Sequence, residues 1–194
     1  MLFQRGQFYT ERLRWSEARQ LAERAIALAQ SVDDQVQGAG AWHNLGESNF
    51  WSGDLVEAKA RCEKASELLT DVPSELLVSL FGIDLRILIS WLAGLVELIL
   101  GTPERSLEWE NQLVERAGSS PHMYSKAFGM VVVSLSATIR RDLSKARDSA
   151  RIACEICEEY GFAELLNFAM SIGGGVRFWE GECEVGLAQQ KLAV

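Results

Sequence analysis

Apolar residues recur every three to four positions along most of the chain. Leu55, Ala58, Cys62, Ala65 and Leu69 fall on one helical face, and Leu143, Ala146, Ala150, Ala153 and Cys157 fall on another. Strict apolar–polar alternation is nearly absent, which disfavours a sandwich or barrel and predicts an all-α chain. The most hydrophobic stretch, residues 85–100, contains Arg86 and Glu97 and is 16 residues long. A membrane span needs roughly 20. The stretch therefore predicts a helix buried between neighbours.

Small residues punctuate this pattern at fixed intervals. Gly46 and Gly53 are seven apart, as are Gly94 and Gly101, and again Gly174 and Gly181. Five residues after the second glycine of each pair comes a small residue: Ala58, Ser106 or Gly186. Arg141, Asp142, Leu143, Ser144, Lys145 and Ala146 repeat the run from Gly53 to Ala58, and Gly6, Tyr9 and Ala18 fit the same frame. The anchors Ala18, Ala58, Ser106, Ala146 and Gly186 are separated by 40, 48, 40 and 40 residues. Each unit is predicted to be two antiparallel helices joined by a short turn, the anchors being small because helices approach within about 8–10 Å only over small side chains.

Terminal signals agree with that division. Asp54 with Glu57 predicts a capping box. Thr102, Pro103 and Glu104 predict one helix start, and Ser120 with Pro121 predicts another. Gly118 and Gly161 are expected as left-handed residues just past helix ends. The units span approximately 1–32, 35–71, 74–118, 121–160 and 162–194. The last is incomplete, and because solenoids need capped ends the chain is expected to be part of a longer polypeptide or to be covered there by another subunit as a homodimer.

These residues resemble the tetratricopeptide repeat. The second unit carries the pattern best, with Trp42, Leu45, Gly46, Ala58 and Ala65; the first keeps Gly6, Tyr9, Ala18 and Ala25. The third unit has Ser106 and Leu113 in the alanine slots, and the fourth has Ser134 for the glycine. The resemblance implies an α-α superhelix, a right-handed solenoid of about five helix pairs. Long degenerate repeats are also similar to the tail arrays of large bacterial signalling ATPases, adenylate cyclases and transcriptional activators. That similarity implies a non-catalytic interaction or regulatory module whose partner is a protein, a peptide or a neighbouring domain. A small-molecule sensor is the alternative.

Composition narrows the function classes. With 48% hydrophobic residues and six Trp, the chain is not disordered. A net charge of −8 argues against nucleic acid and anionic membrane as partners. The N-terminal residues Met1 to Thr10 hold no apolar run of the signal-peptide kind, and the four cysteines (Cys62, Cys154, Cys157, Cys183) fall inside helical patterns. A cytoplasmic setting with reduced thiols is expected.

Candidate chemistry is sparse. No GxxxxGK[S/T] phosphate loop occurs, and Gly173, Gly174 and Gly175 lack the Lys and Ser/Thr that such a loop needs. Cys154 and Cys157 form a C-x-x-C about twelve residues into a predicted helix, where the thiols are expected to pack as small hydrophobes. The histidines are His43 and His122; His43 has Glu47 one turn on, and His122, at a helix start, is expected to be solvated. Arg140, Arg141, Lys145, Arg147 and Arg151 alternate with Asp142 and Asp148, as on a solvated face. No catalytic, metal or cofactor residue is predicted.

The first helix of each unit is expected to line a concave face. That face comprises His43, Glu47, Phe50 and Trp51 in the second unit, Leu88, Trp91, Leu95 and Leu98 in the third, Phe128, Val131 and Leu135 in the fourth, and Phe168, Phe178 and Trp179 in the fifth. Aromatic anchors on a concave wall are a feature of interaction sites. Longer helices can equally bury such residues as core, and the sequence leaves both readings open.

Overall fold

The computed structural model describes residues 2–193; Met1 and Val194, the outer bounds of the first and last predicted units, lie outside the described residues. The described residues form eleven α-helices and no strand. They are α1 (Leu2–Glu11), α2 (Trp15–Ser31), α3 (Gln35–Trp51), α4 (Leu55–Glu67), α5 (Ser74–Phe81), α6 (Leu85–Ile99), α7 (Pro103–Ser119), α8 (Met123–Ile139), α9 (Leu143–Tyr160), α10 (Ala163–Trp179) and α11 (Cys183–Leu192). The chain divides into two compact units at Asn111/Gln112, inside α7.

One turn design closes five helix pairs, and Asp33 and Gly161 repeat it between pairs, with Asp34 donating to Ala29 and Phe162 to Cys157 at 2.9 Å. Leu13, Gly53, Gly101, Arg141 and Gly181 all have left-handed backbone, with φ between 57° and 93°. In each case the next amide donates five residues back, at 2.9 Å: Arg14 to Tyr9, Asp54 to Asn49, Thr102 to Glu97, Asp142 to Ala137 and Glu182 to Arg177. This is the Schellman termination, which satisfies a carbonyl the helix leaves unpaired. The second glycine of each seven-residue pair is therefore the turn residue, and Leu13 and Arg141 hold the same conformation without being glycine.

The first glycine of each pair has a different task. A Cβ at Gly46 would lie 3.5 Å from the Ala58 carbonyl oxygen, and one at Gly94 would lie 3.5 Å from that of Ser106. At Gly174 it would lie 2.7 Å from the Gly186 oxygen, a collision. In the fourth pair Ser134 occupies this slot and donates its hydroxyl to the Ala146 carbonyl at 2.7 Å. Ala18, Ala58 and Ala146 have no exposed surface, and Ser106 and Gly186 are buried. Each of these four hairpins thus brings a small residue against the anchor carbonyl, twelve residues across the turn, and at Gly174 the approach leaves no room for a Cβ.

In unit 1, α5 stands outside the pairing. Its eight residues account for the 48-residue step between Ala58 and Ser106. Leu77 and Phe81 on α5 join Leu69, Leu85, Ile89, Leu92 and Trp109 in the main core. A clamp fixes the α5–α6 corner: Asp84 accepts from Arg86 Nη2 at 2.7 Å and from Ser74 Oγ at 2.8 Å, while Arg86 Nη1 donates to the Val72 carbonyl at 3.0 Å. The apolar stretch becomes α6, buried at Leu85, Ile87, Ile89, Leu92, Leu95 and Val96. Glu97, 1% exposed, pairs with Lys59 at 2.9 Å and accepts the Thr102 hydroxyl, which removes the cost of burying a lone charge. Among the described residues no single helix is long and apolar enough to cross a membrane; α5 and α6 qualify only as a pair, and they are bent by 86°.

In unit 2, α8 and α9 pack as a hairpin, and α10 with α11 forms the next. Ala137, Ala146 and Val176 form a small core with Leu143 packed against it. The three consecutive glycines lie within α10, where Gly174 meets the α11 backbone. Gln189 and Gln190 donate back to the Met170 and Ser171 carbonyls at 3.0 and 3.2 Å, through the space left by Gly173 and Gly174 respectively.

Several expected helix ends are corrected. Asp54 precedes α4, yet its carboxylate makes no cap bond; it accepts from Arg19 at 3.0 Å, since a cation within reach outcompetes a backbone amide. The helix predicted to start at Ser120 and Pro121 begins at Met123, and its cap is His122, whose Nδ1 accepts from the Ser125 amide at 3.3 Å. His122 is accordingly half-buried, not solvated. Gly118 stays inside α7, whereas Gly161 does end α9 in the left-handed region at φ 73°.

Replacing Leu13 by glycine is expected to stabilise the protein by about 0.5–1 kcal/mol, the relief of left-handed strain exceeding glycine's added chain entropy. Gly53→Ala should destabilise it by about 1 kcal/mol. Urea unfolding followed by circular dichroism checks both, and a loss of stability in the Leu13 variant would contradict the strain assignment.

Candidate functional site

The first helices of the pairs carry the predicted surface, and the structure sorts its residues by exposure. In unit 1, Trp51 is exposed; Glu47, Phe50, Leu88, Trp91 and Leu98 are half-buried; His43 and Leu95 are buried. In unit 2, Phe168, Phe178 and Trp179 are exposed, Phe128 and Leu135 are half-buried, and Val131 is buried. The set is thus part surface and part core. His43, Leu95 and Val131 are buried, His43 beneath the Phe3 ring of α1.

The best-organised part lies where α1 crosses α3. Gln7 Nε2 donates to both Asn44 Oδ1 and Glu47 Oε2, each at 2.9 Å. Asn44 Nδ2 in turn donates to the Phe3 carbonyl at 3.0 Å. Gly6 gives room for this arrangement, since a Cβ there would strike the Asn44 amide. Beside this seam Trp51 meets Phe50 edge-on, with centroids 5.0 Å apart, and leaves half its surface to solvent.

The electrostatics of the seam are unusual. Burial pushes the Glu47 carboxyl up to about 7, against the opposing hydrogen bonds from Gln7 and Trp51. Burial also depresses His43 to about 4. The expected His43–Glu47 pairing does not form: Glu47 turns to Gln7, whereas His43 stacks on Phe3 with centroids 6.3 Å apart. Cys62 lies within reach of the Glu47 charge, and burial first, then Glu47, push its thiol up. That is the reverse of what a nucleophilic cysteine needs.

In unit 2, Phe178 and Trp179 meet edge-on at 5.9 Å, and the Arg141 guanidinium lies 3.5 Å over the Trp179 ring. Arg147 pairs with Glu180 at 2.8 Å and Arg151 with Glu155 at 2.6 Å, so both are neutralised side chains on a solvated surface. Within α9, Cys157 is buried and its thiol is raised to about 11 by burial first, then by Cys154; Cys154, half-buried, is raised by burial. Among the described residues no group of three or more His, Cys, Asp or Glu is placed to hold a metal ion.

A cleft of about 250 Å3 was not anticipated. It opens between α1, α2 and α3, lined by Phe3, Ala22, Ala25, Leu28, Ala29 and Asn44. Its origin is legible after the fact: alanines at positions 22, 25 and 29 leave a trough along one face of α2.

With this geometry in view, solved structures share the fold. RapI in its apo form superposes with a TM-score of 0.72 at 14% identity, covering 99% of this chain and 67% of that one. The TPR-like repeats of a Podosopora anserina kinesin light chain-like protein give 0.68 at 13% identity, covering 99% of this chain and 92% of that one. A point-substituted form of those repeats gives 0.68 at 12%, with 99% and 91% covered. The fold is an all-α, tetratricopeptide-like helical repeat. No protein-family model and no curated protein sequence matches the chain.

Opposite titrations follow from the seam. A carboxyl raised from 4.5 to about 7 makes stability fall as pH rises through that window, because the folded state holds the proton longer. A histidine depressed from 6.5 to about 4 makes stability rise between about pH 4 and 6.5, because there the unfolded state binds more protons. The two slopes oppose each other in the parent. Glu47→Gln is expected to expose the rising limb and to stabilise the protein at pH 8 by roughly 2 kcal/mol; His43→Phe should expose the falling limb. Equal pH profiles for parent and both variants, measured by urea unfolding from pH 4 to 8, would contradict the assignment.

Proposed function

We propose that the chain is a non-catalytic protein-interaction module that captures a peptide or a neighbouring domain across its first helices. The observation that carries this reading is the Trp51–Phe50 pair beside the Gln7–Asn44–Glu47 seam. A half-exposed tryptophan next to fixed polar groups combines a large apolar anchor with oriented donors and acceptors, the make-up of an interface hot spot. The TPR-like fold of its structural neighbours favours this class. The parent would be a cytoplasmic bacterial signalling or transcription-regulating protein, as the sequence resemblance implies, and the ends of the array would contact other domains or a second copy. No nucleic acid or membrane enters this reading, in keeping with the net charge of −8.

A second reading rests on the α1–α2–α3 cleft, whose alanine-rich walls suit the apolar body of a small effector. Thermal unfolding across a metabolite panel tests it: a true effector at 100 times its Kd adds about 2.7 kcal/mol of stability, and a panel with no shift removes the sensor.

For the interaction module, peptides selected from a displayed library on the immobilised chain are titrated into Trp51→Ala and Glu47→Gln. Trp51→Ala is expected to weaken binding by at least tenfold, about 1.4 kcal/mol, with the helical circular dichroism unchanged. Undiminished binding to both variants would remove the seam as the contact surface.

A further inference from the structure

Unit 2 carries a second surface that uses none of the seam residues. Tyr124, on the first turn of α8, meets Phe162 edge-on with centroids 5.3 Å apart. Phe162, the residue preceding α10, stacks on Tyr160 at the end of α9 with centroids 6.1 Å apart. Tyr160 is 47% exposed and Tyr124 36%, so the two tyrosines on either side of the half-buried Phe162 are open to water. An exposed aromatic cluster of this kind is uncommon on a solvated repeat surface.

The charge around the rings has one sign. Residues 152–176 contain no Lys or Arg and include Glu155, Glu158, Glu159 and Glu164. Glu155 is neutralised by Arg151 at 2.6 Å. Glu158, Glu159 and Glu164 are all exposed, and among the described residues no cation pairs with them. Glu159 adjoins Tyr160 in the chain and Glu164 lies two residues past Phe162, where its charge, after burial, pushes the Tyr124 phenol up; Glu158, two residues before Tyr160, lies about 200° around α9 from it. The basic side chain nearest in sequence on α8, Lys126, lies two residues past Tyr124 and so about 200° around the helix.

We infer that this patch, the Tyr124–Tyr160–Phe162 rings with Glu159 and Glu164, docks a basic, arginine-bearing peptide segment. The chemistry matches on both counts. A guanidinium stacks on an aromatic face and at the same time directs its planar fork of N–H donors at a carboxylate. The patch supplies rings and unpaired carboxylates side by side, whereas at Trp179 the ring is already covered by the chain's own Arg141. Intramolecular stacking at Trp179 shows the same chemistry satisfied from within.

The test is calorimetric titration of the full chain with an amidated Arg-Gly-Arg-Gly-Arg peptide at low and physiological salt. Saturable binding is expected, weakened about fivefold by Tyr160→Ser and by at least as much by the pair Glu159→Gln and Glu164→Gln. A control pair outside the patch, Glu23→Gln on α2 with Glu104→Gln on α7, should change it less than twofold. Circular dichroism confirms that each variant is folded. Binding that ignores Tyr160→Ser and falls equally with both glutamine pairs is attraction to the net charge and overturns the proposal, as does the absence of saturation.

Discussion

The fold is organised around one contact per hairpin, where the anchor carbonyl meets a small residue on the facing helix. The anchor carbonyl of Ala58, Ser106 or Gly186 faces a glycine twelve residues earlier, and in the fourth pair it faces a serine hydroxyl. That offset follows from the turn: seven residues from the packing position to the left-handed residue, then five to the anchor. The repeated amide-to-carbonyl bond across the turn fixes the geometry, and a small residue at the crossing lets the helices close. Larger side chains are then excluded from the crossing and fill the space between neighbouring helices, where Leu85, Ile89, Leu92 and Val96 make the main core of unit 1.

Polar groups take part where this packing scheme leaves gaps. Lys59 neutralises Glu97 at the end of α6, and Asp84 with Arg86 ties the corner at α5. The α1–α3 crossing has a glycine too, but there Gly6 accommodates the Asn44 amide, and hydrogen bonds through Gln7 hold the helices together. The same seam holds a carboxyl near neutrality and an uncharged histidine. Its polar geometry and the exposed Trp51 beside it distinguish it from the other first-helix surfaces.

The helical class, the hairpin frame and the five anchors were legible because small residues at fixed spacing have a single steric use. The buried α6 was legible because Arg86 and Glu97 interrupted a run too short to span a bilayer. Cap assignments were less so: α7 starts at Pro103 as the sequence indicates, but Asp54, the right residue type before α4, turns its side chain to Arg19, a partner the local sequence does not show. The surface residues were hardest. Helical phase places His43 and Glu47 on one face, yet Phe3 from another helix covers the first and Gln7 claims the second. The turn conformation at Leu13 and Arg141 was hidden because both residues depart from the glycine signal.

Ser134 has a consequence for how such a chain drifts. In place of a missing side chain it offers one whose oxygen bonds the carbonyl it approaches, so the slot filters by geometry, not by residue name. Most other positions in a forty-residue unit need only be apolar or polar on the proper side. The heritable information that defines the fold is therefore held in two or three columns per unit. Two arrays can lose nearly all residue-by-residue likeness, down to the 12–14% seen against the solved structures, and still trace the same path.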